Sequence, residues 1–502
     1  MLRARVFSSL MVCYGLVAQS PTPAGPVRLS LQEAIKTSLE NNLQVQIASE
    51  DREFTKAGVL VSQGSFDWTL NGYAGLGRSK FNFENQFNDQ TNTYETGDNT
   101  TSTRDLSLGV VKPFEWGGKF NMTYNPTYDS TTRNRLGVGS TVTPRPYTGV
   151  LSASYTQSLL KGFGRSATEA NVIVAKKGAI AADYQYQKAI IDLVASTESL
   201  YWDVVYAQRN LENKQQALTL AQKQLKENQI RVEVGTLAPI EVTSAEAAEA
   251  QRQQDIIAAE AQFANTKDAL IRALYPSSER PGNLELTDAP TLSHISTDEK
   301  GAEKMALERR VELKSARLDL ESKQILEGAA NNRLKPQLDL SLGYNGSAAY
   351  HETYSPVNTD LWGAKNPGYN VGLTFSMPLP NRTSRGLMAQ ARANRRGSEL
   401  SVRDLELGIM LEVRTAFRNV DATEKAVKAA EKTRIFREKD LNAEQKKYEN
   451  GMSTNFLVLS KQNDLDSAKS GELQAQISYA KAVTTLEKAL GNLLEARKLE
   501  LK

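Results

Sequence analysis

Residues 66–76 read FDWTLNGYAGL, and the stretch has a period of two. Phe66, Trp68, Leu70, Ala74 and Leu76 fall on one parity, which Gly72 completes, while Asp67, Thr69, Asn71, Tyr73 and Gly75 fall on the other. Successive side chains of a strand point to opposite faces, so a strand with one apolar and one polar face is expected here. The alternation returns further on. Leu106, Leu108 and Val110 carry it in 105–111; Phe120, Met122 and Tyr124 in 119–125; Leu151, Ala153 and Tyr155 in 147–158. Leu338, Leu340, Leu342 and Tyr344 carry it in 337–345, and Val371, Leu373, Phe375 and Met377 in 369–377.

Two architectures share this pattern. A soluble antiparallel sheet buries its apolar face on a core; a membrane barrel turns that face to lipid and the polar one to water, over segments of about ten residues. Here the polar parity is mostly small and uncharged. The connections alternate between long Asn/Thr-rich stretches (78–102, 128–146, 347–367) and the tight turn Pro113-Phe114-Glu115-Trp116-Gly117-Gly118. Long loops at one end and short turns at the other favour the barrel. Six strands cannot close one alone, since the smallest single-chain examples have about eight and an open edge in lipid leaves backbone groups unsatisfied. Closure is therefore expected to need other subunits.

Around the strands the chain is written twice. LENNLQV at 39–45 reappears in outline as LERRVEL at 307–313, and VGTLAPIEV from Val234 as NGMSTNFLV from Asn450. Each half runs helix, strands, a very long helix, a Gly turn and a second long helix. The first repeat is expected over 29–276 and the second over 301–492, joined by the Pro- and Ser-bearing linker 277–300 and followed by a tail at 493–502. The proline-free, Ala/Gln/Glu/Lys-rich stretches 168–233 and 384–449 are each about 66 residues, or roughly 100 Å of helix. Helices so long with only a narrow apolar stripe persist by packing along others in a coiled-coil manner. The shorter helices 239–275 and 454–490 follow the turns, and 33–63 and 302–332 open the halves. A shorter helix and an opening helix laid end to end match one long helix in length.

The first twenty residues place Arg3 and Arg5 before the apolar run Val6–Ala18, the layout of a secretory signal peptide. Cleavage after Ala18 suits the small-residue preference. Leu10-Met11-Val12-Cys13 offers a lipoprotein alternative, which the bulky Val12 fits poorly. No later segment reaches the run of about 18 apolar residues that a membrane helix needs. With 61 Lys plus Arg against 58 Asp plus Glu, the charge is +3 and no basic cluster stands out, which argues against nucleic acid. One cysteine and two histidines exclude Cys/His zinc sites and a disulfide framework. No P-loop, G-x-S-x-G elbow, H-E-x-x-H or dinucleotide fingerprint occurs. His294 in the linker and His351 in an external loop read as solvated, so neither an enzyme nor a cofactor or metal site is expected.

The doubled helix–strand–helix layout, the signal segment, and the stretches LSLQEAIKTSLENN, SLLKGFGRSATEANV and SMPLPNRTSRGLMAQARA resemble the TolC-like outer-membrane efflux protein family, over essentially all of 29–492. The resemblance implies a mixed α and membrane β-barrel fold: a homotrimeric α-helical periplasmic tunnel continuous with a shared outer-membrane β-barrel, two structural repeats per chain. It further implies an exit duct in outer-membrane lipid, coupled through a periplasmic adaptor protein to an inner-membrane transporter. The family commonly contributes four strands per chain. Six here leave either an eighteen-strand barrel or a twelve-strand barrel with the pair 105–111 and 119–125 outside its wall.

The family's adaptor-docking tips map to Gly235, Leu237, Pro239, Gly451 and Ser453. Its periplasmic gate maps to Glu241 and Tyr448, with Ser453 where a base would stand; Leu457 and Ser460 occupy an inner ring that can be acidic. The resemblance thus implies a Tyr448–Glu241 hydrogen bond and no acidic filter. Type I protein secretion uses the same architecture and stays open, as does a trimeric surface fibre or adhesin, which would project outward.

Overall fold

The computed structural model describes residues 27–89, 91–276, 284–290 and 298–499. The expected signal segment, Cys13, His294 and much of the 277–300 linker lie outside the described residues. In chain order the elements are β1 (Val27–Leu29), α1 (Leu31–Asn41), α2 (Leu43–Gln63), β2 (Thr69–Asn88), β3 (Thr93–Pro113), β4 (Gly118–Arg135), β5 (Gly139–Val142) and β6 (Tyr147–Ser158). There follow α3 (Arg165–Thr168), α4 (Ala170–Glu233), α5 (Ile240–Leu274), β7 (Leu284–Leu286), α6 (Glu299–Arg309), α7 (Val311–Asn332), β8 (Gln337–His351) and α8 (Tyr354–Trp362). The last are β9 (Pro367–Ser376), α9 (Arg382–Glu449), α10 (Asn455–Leu490) and α11 (Leu493–Ala496). No helix among the described residues is long and apolar enough to cross a membrane.

The described residues form two compact units, each drawing on both halves of the sequence: those within 27–45, 190–302 and 413–499, and those within 46–189 and 303–412. The first is helical. Its core gathers Tyr201, Trp202, Val204 and Val205 of α4, Leu270 and Leu274 of α5, and Leu473 and Ile477 of α10. The linker, expected to be irregular, adds β7, which pairs in parallel with β1 and seats Leu284 beside Leu29 in that core. Asp288 then accepts from the Leu31 N–H at 2.6 Å, holding the first turn of α1. The expected tail is also tied down: Leu493 is buried, and Arg497 donates to the fully buried Glu198 at 3.0 Å. A buried carboxylate without that partner would be costly.

Each opening helix, expected in one piece, is broken. Asn42 separates α1 from α2 and Arg310 separates α6 from α7, the same position in the two repeats. Their ψ angles, 126° and 121°, leave the helical range. Asn42 uses its amide instead, donating to Ala273 O at 3.1 Å and accepting from Gln44 N at 2.8 Å. Arg310 pairs with Glu312 at 3.1 Å and Glu412 at 3.0 Å.

The second unit is built on one antiparallel sheet of order β2-β3-β4-β6-β8-β9, with β5 paired to β4 off the path. Directly opposed residues form rows across all six path strands. Leu70, Val110, Met122, Ala153, Tyr344 and Tyr369 make one; Asn71, Gly109, Thr123, Ser152, Asn345 and Gly368 make the next. Opposed residues share a face and successive ones alternate, so one face is apolar and the other small and polar. Along both edge strands the apolar face is open in the single chain: Leu70 is 77% exposed and Val371 76%.

The strands begin and end differently from the expectation. Phe66 closes a short 3-10 turn and β2 starts at Thr69. The stretches 78–102 and 128–146, expected as loops, continue the ladder, with Gly97 opposite Arg135 and Arg78 opposite Ser102. Their Thr side chains bond across strands, Thr101 to Thr131 at 3.1 Å and Thr127 to Thr148 at 2.7 Å. Thr is polar but β-branched and favours strands, so polarity alone misreads such a stretch as loop. Within 347–367, α8 packs Val357 and Leu361 on Leu151 and Ala348, on the apolar face. A Cβ at Gly149 would lie 2.9 Å from both helix side chains, so glycine admits the helix. His351, expected to be solvated, sits 2.6 Å from Asp360 of α8. The turn at 113–118 is tight as expected, closed by Phe114 N to Gly118 O at 2.7 Å.

Candidate functional site

Two helix–turn–helix tips of the helical unit carry the site residues. Between α4 and α5, Gly235 has φ +79°, Thr236 N donates to Arg231 O at 2.8 Å and Gly235 N to Val232 O at 2.9 Å. Between α9 and α10, Gly451 has φ +74°, Met452 N donates to Lys447 O at 2.8 Å and Gly451 N to Tyr448 O at 3.1 Å. Both are Schellman caps. A Cβ would meet nothing at either position, so glycine is needed for its left-handed backbone and not for space. Pro239 stands just before Ile240, the first residue of α5, with its φ of −57° already helical. Thr454 caps α10 by accepting from Leu457 N at 3.4 Å.

Behind the tips lies a buried amide cluster. Asn228 is fully buried, and its Oδ1 accepts from the Tyr448 hydroxyl at 3.0 Å and from Gln224 Nε2 at 3.0 Å. Gln224 Nε2 also lies 3.4 Å from Asn455 Oδ1, and Asn455 Nδ2 lies 3.5 Å from the Glu241 backbone carbonyl. Residues of α4, α5, α9 and α10 thus meet in one network, which in a low-dielectric setting specifies a single arrangement. The Arg231 guanidinium lies 4.8 Å above the Tyr448 ring. Burial pushes the Tyr448 hydroxyl pKa up; Arg231 opposes this, and nearby Glu241 adds to it.

The implied Tyr448–Glu241 bond is not formed within the chain, where Tyr448 donates to Asn228 instead. A neutral amide can occupy this dry position at less cost than a carboxylate. Ser453 donates its hydroxyl to Glu444, and that bond, followed by Lys447, holds the Glu444 carboxyl below its ordinary range. Leu237 and Ser453 are half-buried, whereas Gly235, Pro239 and Gly451 are exposed. Leu457 is exposed and Ser460 half-buried, on the first turns of α10.

Sequence reasoning missed two features. One is the network partners Gln224, Asn228 and Asn455, which read as ordinary polar helix residues. The other is apolar exposure at the turns: Val234 73%, Ile240 66%, Met452 72% and Phe456 73%. Ile240 and Phe456 are equivalent in the two repeats, and that recurrence was the available signal.

The sheet unit has chemistry of its own. At the helix-joined end of its strands, Trp68 packs on Phe120 at 6.4 Å and Phe114 stacks on Trp116 at 4.5 Å. Toward the other end Tyr128 meets Tyr147 at 4.9 Å, Tyr344 meets Tyr369 at 5.6 Å, and Tyr124 stacks on Trp362 at 6.0 Å. Phe120 to Tyr128, or Tyr147 to Tyr155, is about 27 Å of strand. At a tilt near 40° that is about 20 Å of height, close to the band of roughly 25 Å that outer-membrane barrels show lipid between aromatic girdles.

An open apolar face between two aromatic belts, together with paired helical hairpins, defines an outer-membrane channel protein. The chain belongs to the outer membrane efflux protein family, whose model matches residues 119–274 and 303–492. It is 27% identical over 392 residues to the outer membrane protein TolC of Escherichia coli K12, covering 75% of this chain and 74% of that protein. Among solved structures it resembles CusC, described for its transmembrane channel formation, with a TM-score of 0.68, 16% identity and 95% of each chain covered. It also resembles the CmeC outer membrane channel of Campylobacter jejuni, with a TM-score of 0.61, 15% identity and 92% and 86% coverage. The matched relatives are channels, not enzymes, and the protein is an outer-membrane efflux channel of TolC type.

Proposed function

We propose that three copies of this chain close one barrel in the outer membrane and act as the passive exit duct of a tripartite efflux system. An inner-membrane transporter supplies the energy, and a periplasmic adaptor protein docks on the tips around Gly235, Leu237, Pro239, Gly451 and Ser453. The exposed Ile240 and Phe456 give that adaptor apolar anchors. The resting gate is formed around Tyr448 with Asn228 and Glu241, while Leu457 and Ser460 stand on the inner ring without a carboxylate.

The observation that carries this reading is the pair of adjacent rows, one apolar and one polar, running across a sheet whose edge strands β2 and β9 have no further partner among the described residues. Such a sheet satisfies its backbone in lipid only by closing with other copies. Purified protein added to a planar lipid bilayer is expected to give stable ohmic conductance steps; absence of steps from well-folded protein would count against the duct. In intact cells the long helices are expected to resist added protease, whereas digestion would favour the outward-projecting fibre.

A further inference from the structure

We propose that the barrel wall has eighteen strands, six from each chain, with β9 of one copy pairing antiparallel to β2 of the next. The inference rests on the trimeric reading and fixes what that reading leaves open. Three features of the sheet carry it.

The first is continuity. β3 and β4 are bound into the path, with β3 laddered to β4 from Gly97/Arg135 to Pro113/Lys119 and β4 to β6 from Gly118/Gln157 to Tyr128/Tyr147. Moving this hairpin outside the wall would break its ladders to β2 and to β6. The hairpin also keeps the two-faced pattern: Leu108, Val110, Met122 and Tyr124 share the apolar side, and Gly109 and Thr123 the polar side. A hairpin lying in water would gain nothing from that division.

The second is direction. Six antiparallel strands leave β2 running away from the helix-joined end and β9 running back toward it. Edge-to-edge joining of copies therefore gives antiparallel pairs all round. The third is stagger. Counted from the helix-joined end, the row that begins at Leu70, one residue from the Thr69 end of β2, finishes at Tyr369, seven residues from the Ser376 end of β9. That is about 20 Å of climb over about 24 Å of width, a tilt of about 40°, within the range that closed barrels require. At equal tilt the bore is about one and a half times that of a twelve-strand barrel.

Disulfide trapping in outer membranes carrying the full-length protein tests the count. Asn71→Cys with Thr374→Cys, polar-side positions of β2 and β9, is expected to yield covalently linked trimers on oxidation. Thr123→Cys with Ser152→Cys, directly opposed on β4 and β6, is expected to close within each chain. Asn71→Cys with Ser152→Cys is expected to stay reduced, because two intervening strands hold the positions about 14 Å apart. A trimer in which this last pair links and the Thr123/Ser152 pair does not overturns the eighteen-strand wall while leaving the duct intact. Protein that is monomeric by mass overturns the duct itself.

Discussion

The sheet and the helix tips both leave apolar side chains in the open, by opposite constructions. In the sheet the apolar side chains follow a period: every second residue along the path strands lies on one face, which is wide and stays open along β2 and β9, where α8 does not cover it. At the tips it is local, with Val234, Ile240, Met452 and Phe456 around two Gly turns backed by hydrogen-bonded buried amides. A wide periodic face suits a solvent such as lipid; a small patch on a capped turn suits a protein partner.

The sharpest way to break the contrast is to charge the sheet. Val371→Arg puts a cation on the apolar face, at a cost of about 2–4 kcal/mol near the bilayer midplane. It is expected to abolish the outer-membrane trimer seen by heat-modifiable gel mobility. Thr374→Arg, on the polar face, is expected to leave assembly intact and to alter ion selectivity. Equal behaviour of the two variants would erase the distinction between the faces.

A smaller effect is expected at the tips. Asn228→Ala removes the acceptor shared by Tyr448 and Gln224, leaving buried groups unpaired at about 1–3 kcal/mol. It is expected to raise resting conductance and drug sensitivity. Glu241→Ala should change both less, since Glu241 joins the network through its backbone carbonyl. The reverse order would restore a direct Tyr448–Glu241 bond as the gate.

The smallest effect concerns pH. The Glu444 carboxyl is held below its ordinary range in the folded tip, so its stabilisation is present above the unfolded pKa of about 4.3 and is lost as pH falls through the lower folded value. Resting conductance is expected to rise on acidification as the tip loosens, and Ser453→Ala is expected to shift that rise to higher pH. An unchanged pH profile would remove Ser453–Glu444 from the account.

The same contrast decides what could be read in the sequence. Period two marked the apolar face at Leu70 or Val371 because alternation is set side chain by side chain along a strand. The long helix ends and both Gly turns were legible because caps are local chemistry. The breaks at Asn42 and Arg310 were not, because each depends on a side chain finding distant partners, as Asn42 does at Ala273 and Arg310 at Glu412. The long Thr-rich hairpins were hidden by polarity that cross-strand bonds compensate. The tip network was hidden because Asn228 and Gln224 differ from solvated amides only in what three other helices bring to them. β7 lay in a stretch whose prolines suggested only a linker, yet its place is set by pairing with β1.

The central claim is that one chain supplies only part of a wall and that copies complete it. The most direct test is the mass of the detergent-purified protein by light scattering, corrected for bound detergent. The account predicts three chains per particle and aggregation once detergent is removed. A monodisperse single chain, soluble without detergent, would contradict it.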